Sequence, residues 1–183
     1  GGAGYIGSHM SNSLARAGHV PVTFDNLSTG HRAAVKWGPL VEGDLLDPVA
    51  LARAFREDAI DAVMHFAARS LVGESMQRPG LYFRNNVTGT LNLLDAMRDA
   101  GVDKLVFSST AAVYGNPDYT PIDEAHPTRP VNPYGWSKLM AERQIAEYCR
   151  AHAMRAACLR YFNSAGADPE GEAGEAGHRG GSF

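Results

Sequence analysis

Gly1-Gly2-Ala3-Gly4-Tyr5-Ile6-Gly7 opens the chain, and the reading of these seven residues decides the fold. Gly2, Gly4 and Gly7 satisfy G-x-G-x-x-G, while Gly1, Gly4 and Gly7 satisfy the wider G-x-x-G-x-x-G, so backbone approaches an anion closely at several positions. Ile6, Met10, Leu14 and Ala17 then recur at helical spacing, which predicts a helix over 8–17 stopped by Gly18. The free N–H groups and positive end of that helix would face a pyrophosphate. An ordinary glycine-rich loop is the alternative, and the turn alone does not choose between them.

The residues that follow bear on that choice. His19 to Phe24 alternates and is rich in β-branched and aromatic residues, predicting a strand that ends at Asp25, 18 positions after Gly7. A carboxylate at that spacing accepts hydrogen bonds from the adenosine ribose hydroxyls and repels the extra phosphate of NADP, which favours NAD. Otherwise Asp25 caps the loop Asn26 to Gly30, and Arg32 and Lys36 nearby keep the choice of cofactor open. A short strand over 40–43 leads to Asp44, a candidate partner for the adenine amino group, and Pro48 starts a helix through Leu51 and Phe55. The apolar run around Ile60, Val63, Met64 and Phe66 predicts a central parallel strand. His65 inside it reads as a hydrogen-bonded core residue, and the small Ala67 and Ala68 leave room for a flat cofactor.

Arg69 to Arg78 reads as a polar loop or short helix. Leu81 to Met97 carries a long helical pattern interrupted by Asn85 and Asn86, two amides that need backbone or ligand partners. The buried strand Lys104 to Phe107 runs into Ser108-Ser109-Thr110. Three hydroxyls at the carboxyl end of a strand either line a ligand crevice or cap a turn. After an irregular loop with five prolines over 116–133, a helix is expected from about Tyr134 to His152. Tyr134 and Lys138 are four apart and share a face. A tyrosine base at neutral pH needs a downward shift of about 3 units, which a nearby lysine cation and an oxidised nicotinamide would supply; the alternative is an exposed helix pair. Arg155 to Phe162 predicts the last strand, and the six glycines from Gly166 onward predict a disordered tail.

Composition narrows the classes. With 183 residues, 44% hydrophobic and a net charge of −3, the chain suits a globular domain that binds small molecules, with no basic patch for nucleic acid and no membrane-spanning run. A cytoplasmic location is expected. Cys149 and Cys158 match neither a redox nor a zinc spacing and read as reduced structural thiols, so no metal is expected.

Taken together, the motifs resemble the extended short-chain dehydrogenase/reductases and, within them, the UDP-glucose 4-epimerases. The match lies in the order of Gly-Gly-Ala-Gly-Tyr-Ile-Gly-Ser-His at 1–9, Asp25-Asn26-Leu27, Gly43-Asp44-Leu45, His65-Phe66-Ala67-Ala68, Val72-Gly73-Glu74-Ser75, Asn85-Asn86-Val87, the run Ser108 to Gly115, Pro133 to Lys138, and Leu159-Arg160-Tyr161-Phe162-Asn163. The resemblance implies NAD held by Gly1, Gly4, Tyr5, Ile6 and Gly7 at the pyrophosphate, Asp25 and Asn26 at the ribose, Asp44 and Leu45 at the adenine, and Phe66, Ala67, Ala68, Asn85, Lys138 and Phe162 around the rest. It implies Tyr134 as general base, Thr110 sharing its hydrogen bond, Lys138 lowering the tyrosine pKa, and Asn163 as a substrate contact beside Thr110 and Tyr134. The implied reaction interconverts UDP-glucose and UDP-galactose through a 4-keto sugar, by an isomerase whose parent enzyme is a homodimer. Another UDP-sugar, N-acetylhexosamine or pentose, is the nearest alternative. A dehydratase is disfavoured because Ala111 and Ala112 stand where such enzymes carry an acid and a base. Ser70 replaces a lysine common in the family, and the sequence after Gly171-Glu172 departs from its pattern.

The fold expected is α/β: a Rossmann-type doubly wound parallel sheet over 1–165, incomplete because its first strand is missing, followed by a glycine-rich tail over 166–183 that would begin an absent substrate-binding region. Strands are expected near 19–24, 40–43, 60–66, 103–108 and 155–161. Loss of a central strand would leave a slot roughly 10 Å wide with two rows of unpaired backbone groups. The isolated chain is therefore expected to fold poorly. A cooperative thermal transition with tight NAD binding by residues 1–183 would contradict that expectation.

Overall fold

The structure, a computed structural model, describes residues 1–175. Contacts divide the chain into two compact units, one of Gly1–Glu42 with the segment from Asn163 onward, the other of Gly43–Phe162. Strands are parallel in both, and five of them fall into two ladders, of two and three strands. The expected α/β architecture is present in each unit as parallel strands flanked by helices.

In the first unit the glycine turn leads into α1 (Tyr5–Arg16), then β1 (Thr23–Asp25) and β2 (Leu40–Glu42). β1 and β2 pair in parallel with Phe24 opposite Val41. β1 is shorter than the 19–24 run predicts. Pro21 lacks an N–H for a ladder, Val20 is exposed, and the pairing begins only where the Thr23 N–H donates to the Pro39 carbonyl at 2.9 Å. The segment 166–175, expected to be disordered, forms a turn instead, with Asp168 accepting from the N–H groups of Glu170 and Glu172. Its anchors are polar: Arg16 meets Glu170 at 2.7 Å, Lys36 meets Glu172 at 3.0 Å, and the Tyr5 hydroxyl donates to the Gly166 carbonyl at 2.6 Å. Charge pairing supplies what the missing apolar residues do not. The rest of the expected tail, 176–183, lies outside the described residues.

In the second unit α2 (Pro48–Glu57) begins on Asp47, whose carboxylate accepts from the N–H groups of Val49 and Ala50, with Pro48 in the first turn. β3 (Val63–His65), α3 (Val72–Gln77) and α4 (Pro79–Tyr82) follow. A turn of π-helix, Phe83–Thr88, joins α4 to α5 (Gly89–Asp99). β4 (Lys104–Ser108), α6 (Pro133–His152) and β5 (Arg155–Leu159) complete the unit. The order β3-β4-β5 puts β4 at the centre, with Phe107 opposite both His65 and Cys158. β4 is largely buried, whereas every residue of β5, including Cys158, is exposed. Both cysteines are free thiols.

The long helical run expected over 81–97 is divided by the π turn, and the division falls on the two asparagines. Asn86 is buried and its amide clamps the Arg69 peptide from both sides: it accepts from the Arg69 N–H at 2.9 Å and donates to the Arg69 carbonyl at 3.0 Å. It also donates to Ser137 Oγ at 2.9 Å and accepts from the Asn85 amide at 2.9 Å. Backbone and side-chain groups therefore supply its partners. Replacing Asn86 with Ala should strand the Arg69 peptide groups and lower stability by about 2–3 kcal/mol, several degrees in a thermal melt of the chain. An unchanged melting temperature would show the clamp to be dispensable.

Candidate active site

In the first unit, the glycine turn and the start of α1 form an anion-binding arrangement. Gly4 is the N-cap of α1, no side chain caps it, and no acidic residue lies in the first turn. A Cβ on Gly7 would lie 2.1 Å from the Gly1 carbonyl oxygen, so the helix packs against the turn at a distance only glycine permits. A Cβ on Gly4, by contrast, would meet only the same oxygen, at 3.5 Å, and that face of the turn stays open. A pyrophosphate fits there on steric and electrostatic grounds.

Asp25 is buried at the end of β1 and accepts from the Ala3 N–H at 3.0 Å and the Leu27 N–H at 2.8 Å. It thus both ties down the glycine turn and caps the loop that follows, where Leu27 has a φ of 55°. Oδ1, which takes the Leu27 N–H, has a second lone pair, an acceptor of the kind a ribose hydroxyl requires. Arg32 is paired with Glu42, and Lys36 with Glu172, so neither cation is left as a dedicated phosphate receptor. Asn26 accepts from the Ser28 N–H at 3.0 Å, and Asn163, also in this unit, is exposed.

In the second unit, Asp44 accepts from the Leu46 N–H at 2.8 Å, and Leu45 is buried, close enough to Gly89 that a Cβ there would lie 3.0 Å from its own. Phe66, Ala67 and Ala68 are half-buried beyond β3, Asn85 lies in the π turn, and Phe162 is 71% exposed. His65 is buried against Thr90, with Nε2 and Oγ1 3.1 Å apart, and packs on Phe107. Burial, with the Lys138 charge nearby, pushes its pKa well down and keeps it neutral, in line with the core role read from the sequence.

The reactive residues of this unit meet where β4 ends against α6. Asn132 caps α6 by accepting from the Gly135 N–H at 2.8 Å, and Pro133 occupies its first turn. At Gly135 a Cβ would fall 2.6 Å from the Ala112 carbonyl, so glycine lets the first turn of α6 lie against the segment after β4. This brings the Tyr134 phenol into hydrogen bonding with Thr110. Thr110 in turn caps the short 3-10 turn Ala111–Val113, accepting from the Ala112 N–H. One helical turn on, Lys138 is buried and donates to the Ser108 carbonyl at 2.7 Å, its ammonium 4.7 Å from the centre of the Phe107 ring.

Burial pushes the Lys138 ammonium down from 10.5 to about 7, with Glu142 pulling the other way. Burial raises the Tyr134 phenol, the Thr110 hydrogen bond lowers it, and Tyr161 raises it again. Lys138 is therefore turned to the Ser108 carbonyl, and Tyr134 takes its hydrogen bond from Thr110. The downward shift of the tyrosine anticipated from the Tyr-x-x-x-Lys spacing is not what these neighbours produce.

Sequence reasoning missed the polar cluster beyond Lys138. Glu142 is buried one further turn along α6, accepts from Ser109 Oγ, and receives the Arg160 guanidinium on both oxygens, Nη2 at 2.6 Å and Nε at 3.0 Å. Tyr161 meets Ser108 through their hydroxyls, and its carbonyl accepts from the Ala111 N–H at 2.9 Å. The i, i+4, i+8 spacing of Tyr134, Lys138 and Glu142 was the available signal.

A glycine turn at a helix N-terminus, an acidic strand end and a Tyr-x-x-x-Lys helix on parallel strands define a nucleotide-cofactor chain of Rossmann type. The family model for the NAD dependent epimerase/dehydratase family matches residues 1–178, and the chain belongs to that family. It is 53% identical over 177 residues to a UDP-glucose 4-epimerase of Azospirillum brasilense, covering 96% of this chain and 51% of the relative. A crystal structure of UDP-glucose 4-epimerase from Brucella ovis in complex with NAD is 50% identical, with a TM-score of 0.96 over 100% of this chain and 56% of that one. A UDP-glucose 4-epimerase structure from Stenotrophomonas maltophila, with bound NAD and formylated UDP-arabinopyranose, is 41% identical with a TM-score of 0.95, over 100% of this chain and 57% of that one. The chain thus spans about half the length of the relatives it matches. Among the described residues, no helix is long and apolar enough to cross a membrane, and no group of three or more His, Cys, Asp or Glu is placed to hold a metal.

Burial of Lys138 sets a pH dependence. Its folded pKa lies below its unfolded value, so the cost of burying the charge is complete below about pH 7 and fades as pH rises towards 10.5. Lys138→Met should therefore gain in melting temperature relative to the wild type near neutral pH, the advantage shrinking steadily over the alkaline range. A difference between the two melting temperatures that does not change with pH would refute the assignment of a buried, strained ammonium.

Proposed function

We infer that this chain serves in a UDP-sugar 4-epimerase that interconverts UDP-glucose and UDP-galactose. The observation that carries the reading is the Tyr134–Thr110 hydroxyl pair beside a buried Lys138 at the end of β4. When bound, the oxidised nicotinamide of NAD supplies a hydride acceptor and, once reduced, a donor to either face of the sugar carbon. The residues of the chain handle the rest. Tyr134 acts as the phenolate, held in that form by the positive charge of Lys138, and takes the proton of the sugar 4-hydroxyl to become the phenol, while Thr110 orients that hydroxyl through the shared hydrogen bond. Gly1, Gly4, Tyr5, Ile6 and Gly7 hold the pyrophosphate, Asp25 and Asn26 the adenosine ribose, and Asp44 and Leu45 the adenine. Phe66, Ala67, Ala68, Asn85 and Phe162 enclose the remainder, and Asn163 contacts the substrate.

Elimination of water finds no support here. Ala111 packs beside the Val113–Tyr114–Leu139 cluster and offers no proton donor or acceptor on its side chain, nor does Ala112. An epimerase for a pentose UDP-sugar is a second reading, favoured by the formylated UDP-arabinopyranose held by the Stenotrophomonas maltophila relative. The reading extends to a cytoplasmic homodimer with no nucleic-acid or membrane partner. The stripe formed by Trp136, which is 45% exposed, and Met140, 44% exposed, on the outer side of α6 is the apolar surface that supports association.

Incubation of a longer gene product that carries this chain with NAD and UDP-galactose should yield UDP-glucose. Tyr134→Phe should cut kcat by about 100- to 10,000-fold while NAD binding persists. Turnover of acetylated or pentose UDP-sugars alone would overturn the substrate choice, and release of a dehydrated 4-keto sugar would overturn the reaction.

A further inference from the structure

We propose that Glu142 is a positioning residue for the Tyr134–Lys138 pair, a fixed negative charge one turn beyond Lys138 that also fastens the segments following β4 and β5 to α6. The proposal rests on the epimerase reading for its catalytic meaning, but its physical content belongs to the second unit alone.

Tyr134, Lys138 and Glu142 succeed one another at intervals of four on α6, so the three side chains form one stripe about 12 Å long. Glu142 is 7% exposed, and its carboxylate meets two separate pieces of chain. From the segment after β4 comes the Ser109 hydroxyl, and from the segment after β5 comes the Arg160 fork, bonded to both oxygens. The same guanidinium lies 5.2 Å over the ring of Tyr114 and reaches its hydroxyl at 3.4 Å. Ser109 directly precedes Thr110 and Arg160 directly precedes Tyr161, so the groups that touch Tyr134 and Ser108 are each one residue from a Glu142 contact. A side chain that only filled space would not need a buried ion pair, which is costly unless each oxygen is bonded.

The charges around the stripe are few. Facing Lys138 are Glu142 from its own helix, neutral His65 from β3, and the Phe107 ring and Ser108 carbonyl from β4. Facing Glu142 are Lys138, Ser109, Arg160 and the Cys158 thiol of β5. Glu142 is thus the anion that offsets the burial of Lys138, and Arg160 moderates it from the opposite side. Removing the glutamate charge and removing the arginine charge must therefore move Lys138 in opposite directions.

The chain has three lysines, so isotope-labelled lysine followed by NMR through a pH titration resolves Lys138, with Lys36→Arg and Lys104→Arg used for assignment. Glu142→Gln keeps the shape and the Ser109 bond but removes the charge, and the Lys138 titration should move down by about one pH unit. Arg160→Met leaves the Glu142 charge unmoderated and should move it up. In a gene product active as wild type, the alkaline limb of the kcat profile should follow the same two shifts with KM for UDP-galactose little changed, and Glu142→Asp should restore the limb. Shifts in the same direction for both variants, or none, would overturn the proposal. If Glu142→Gln does not fold, the direction given by Arg160→Met decides. If the wild type does not epimerise, the epimerase reading fails while the lysine titration still tests Glu142.

Discussion

Placing the Lys138 ammonium beneath the first turns of α6 is the constraint around which the second unit is built. A buried cation requires an acceptor and an aromatic or anionic neighbour, and here two elements supply them: the Ser108 carbonyl and Phe107 ring come from β4, Glu142 from α6 itself. Glu142 in turn needs Arg160, and Arg160 needs Tyr114. The chain of requirements fixes how α6, the end of β4 and the segment beyond β5 approach one another. The groups that fix this packing are the ones the proposed chemistry would use, and a lysine with its pKa near neutrality sits within a buried polar cluster.

Much of this arrangement is legible in the sequence because it depends on local spacing. Strand–turn–helix order, the start of a helix at Pro48, and the four-residue interval between Tyr134 and Lys138 all act over a few residues. His65 was correctly read as a core residue because an isolated histidine in an apolar run has few other ways to be satisfied. Strand limits were less legible. Pro21 shortens β1 through one missing donor, and β5 is fully exposed despite an apolar composition suited to a buried strand. The turn over 166–175 was missed because its order comes from Arg16 and Lys36, more than 130 residues away in sequence. For Tyr134, spacing places Lys138 on the same face, and the fold adds that the ammonium is directed to the Ser108 carbonyl. Glu142 and Arg160 pair across 18 residues, and nothing local to either announces the other.

The π turn over 83–88 explains another difference between pattern and structure. Tyr82, Asn86, Thr90 and Leu94 are all buried at intervals of four, a spacing that drifts around an ordinary α-helix but stays on one side where a wider turn of about 4.4 residues is inserted. A 3.6-residue template therefore reads the asparagines as an interruption. In the structure Asn86 belongs to the inner face, and the wider turn is what carries it to the Arg69 peptide.

That wider turn also fixes how this part of the chain can change length. A one-residue deletion between Phe83 and Thr88 would close the wide turn to an ordinary one of about 3.6 residues, so Leu93, Leu94 and Met97 would keep their faces while the side chains inside the turn shifted by one place. The extra residue thus acts locally: it sets Asn86 against the Arg69 peptide, and its loss would fall on that clamp and not on the packing of α5.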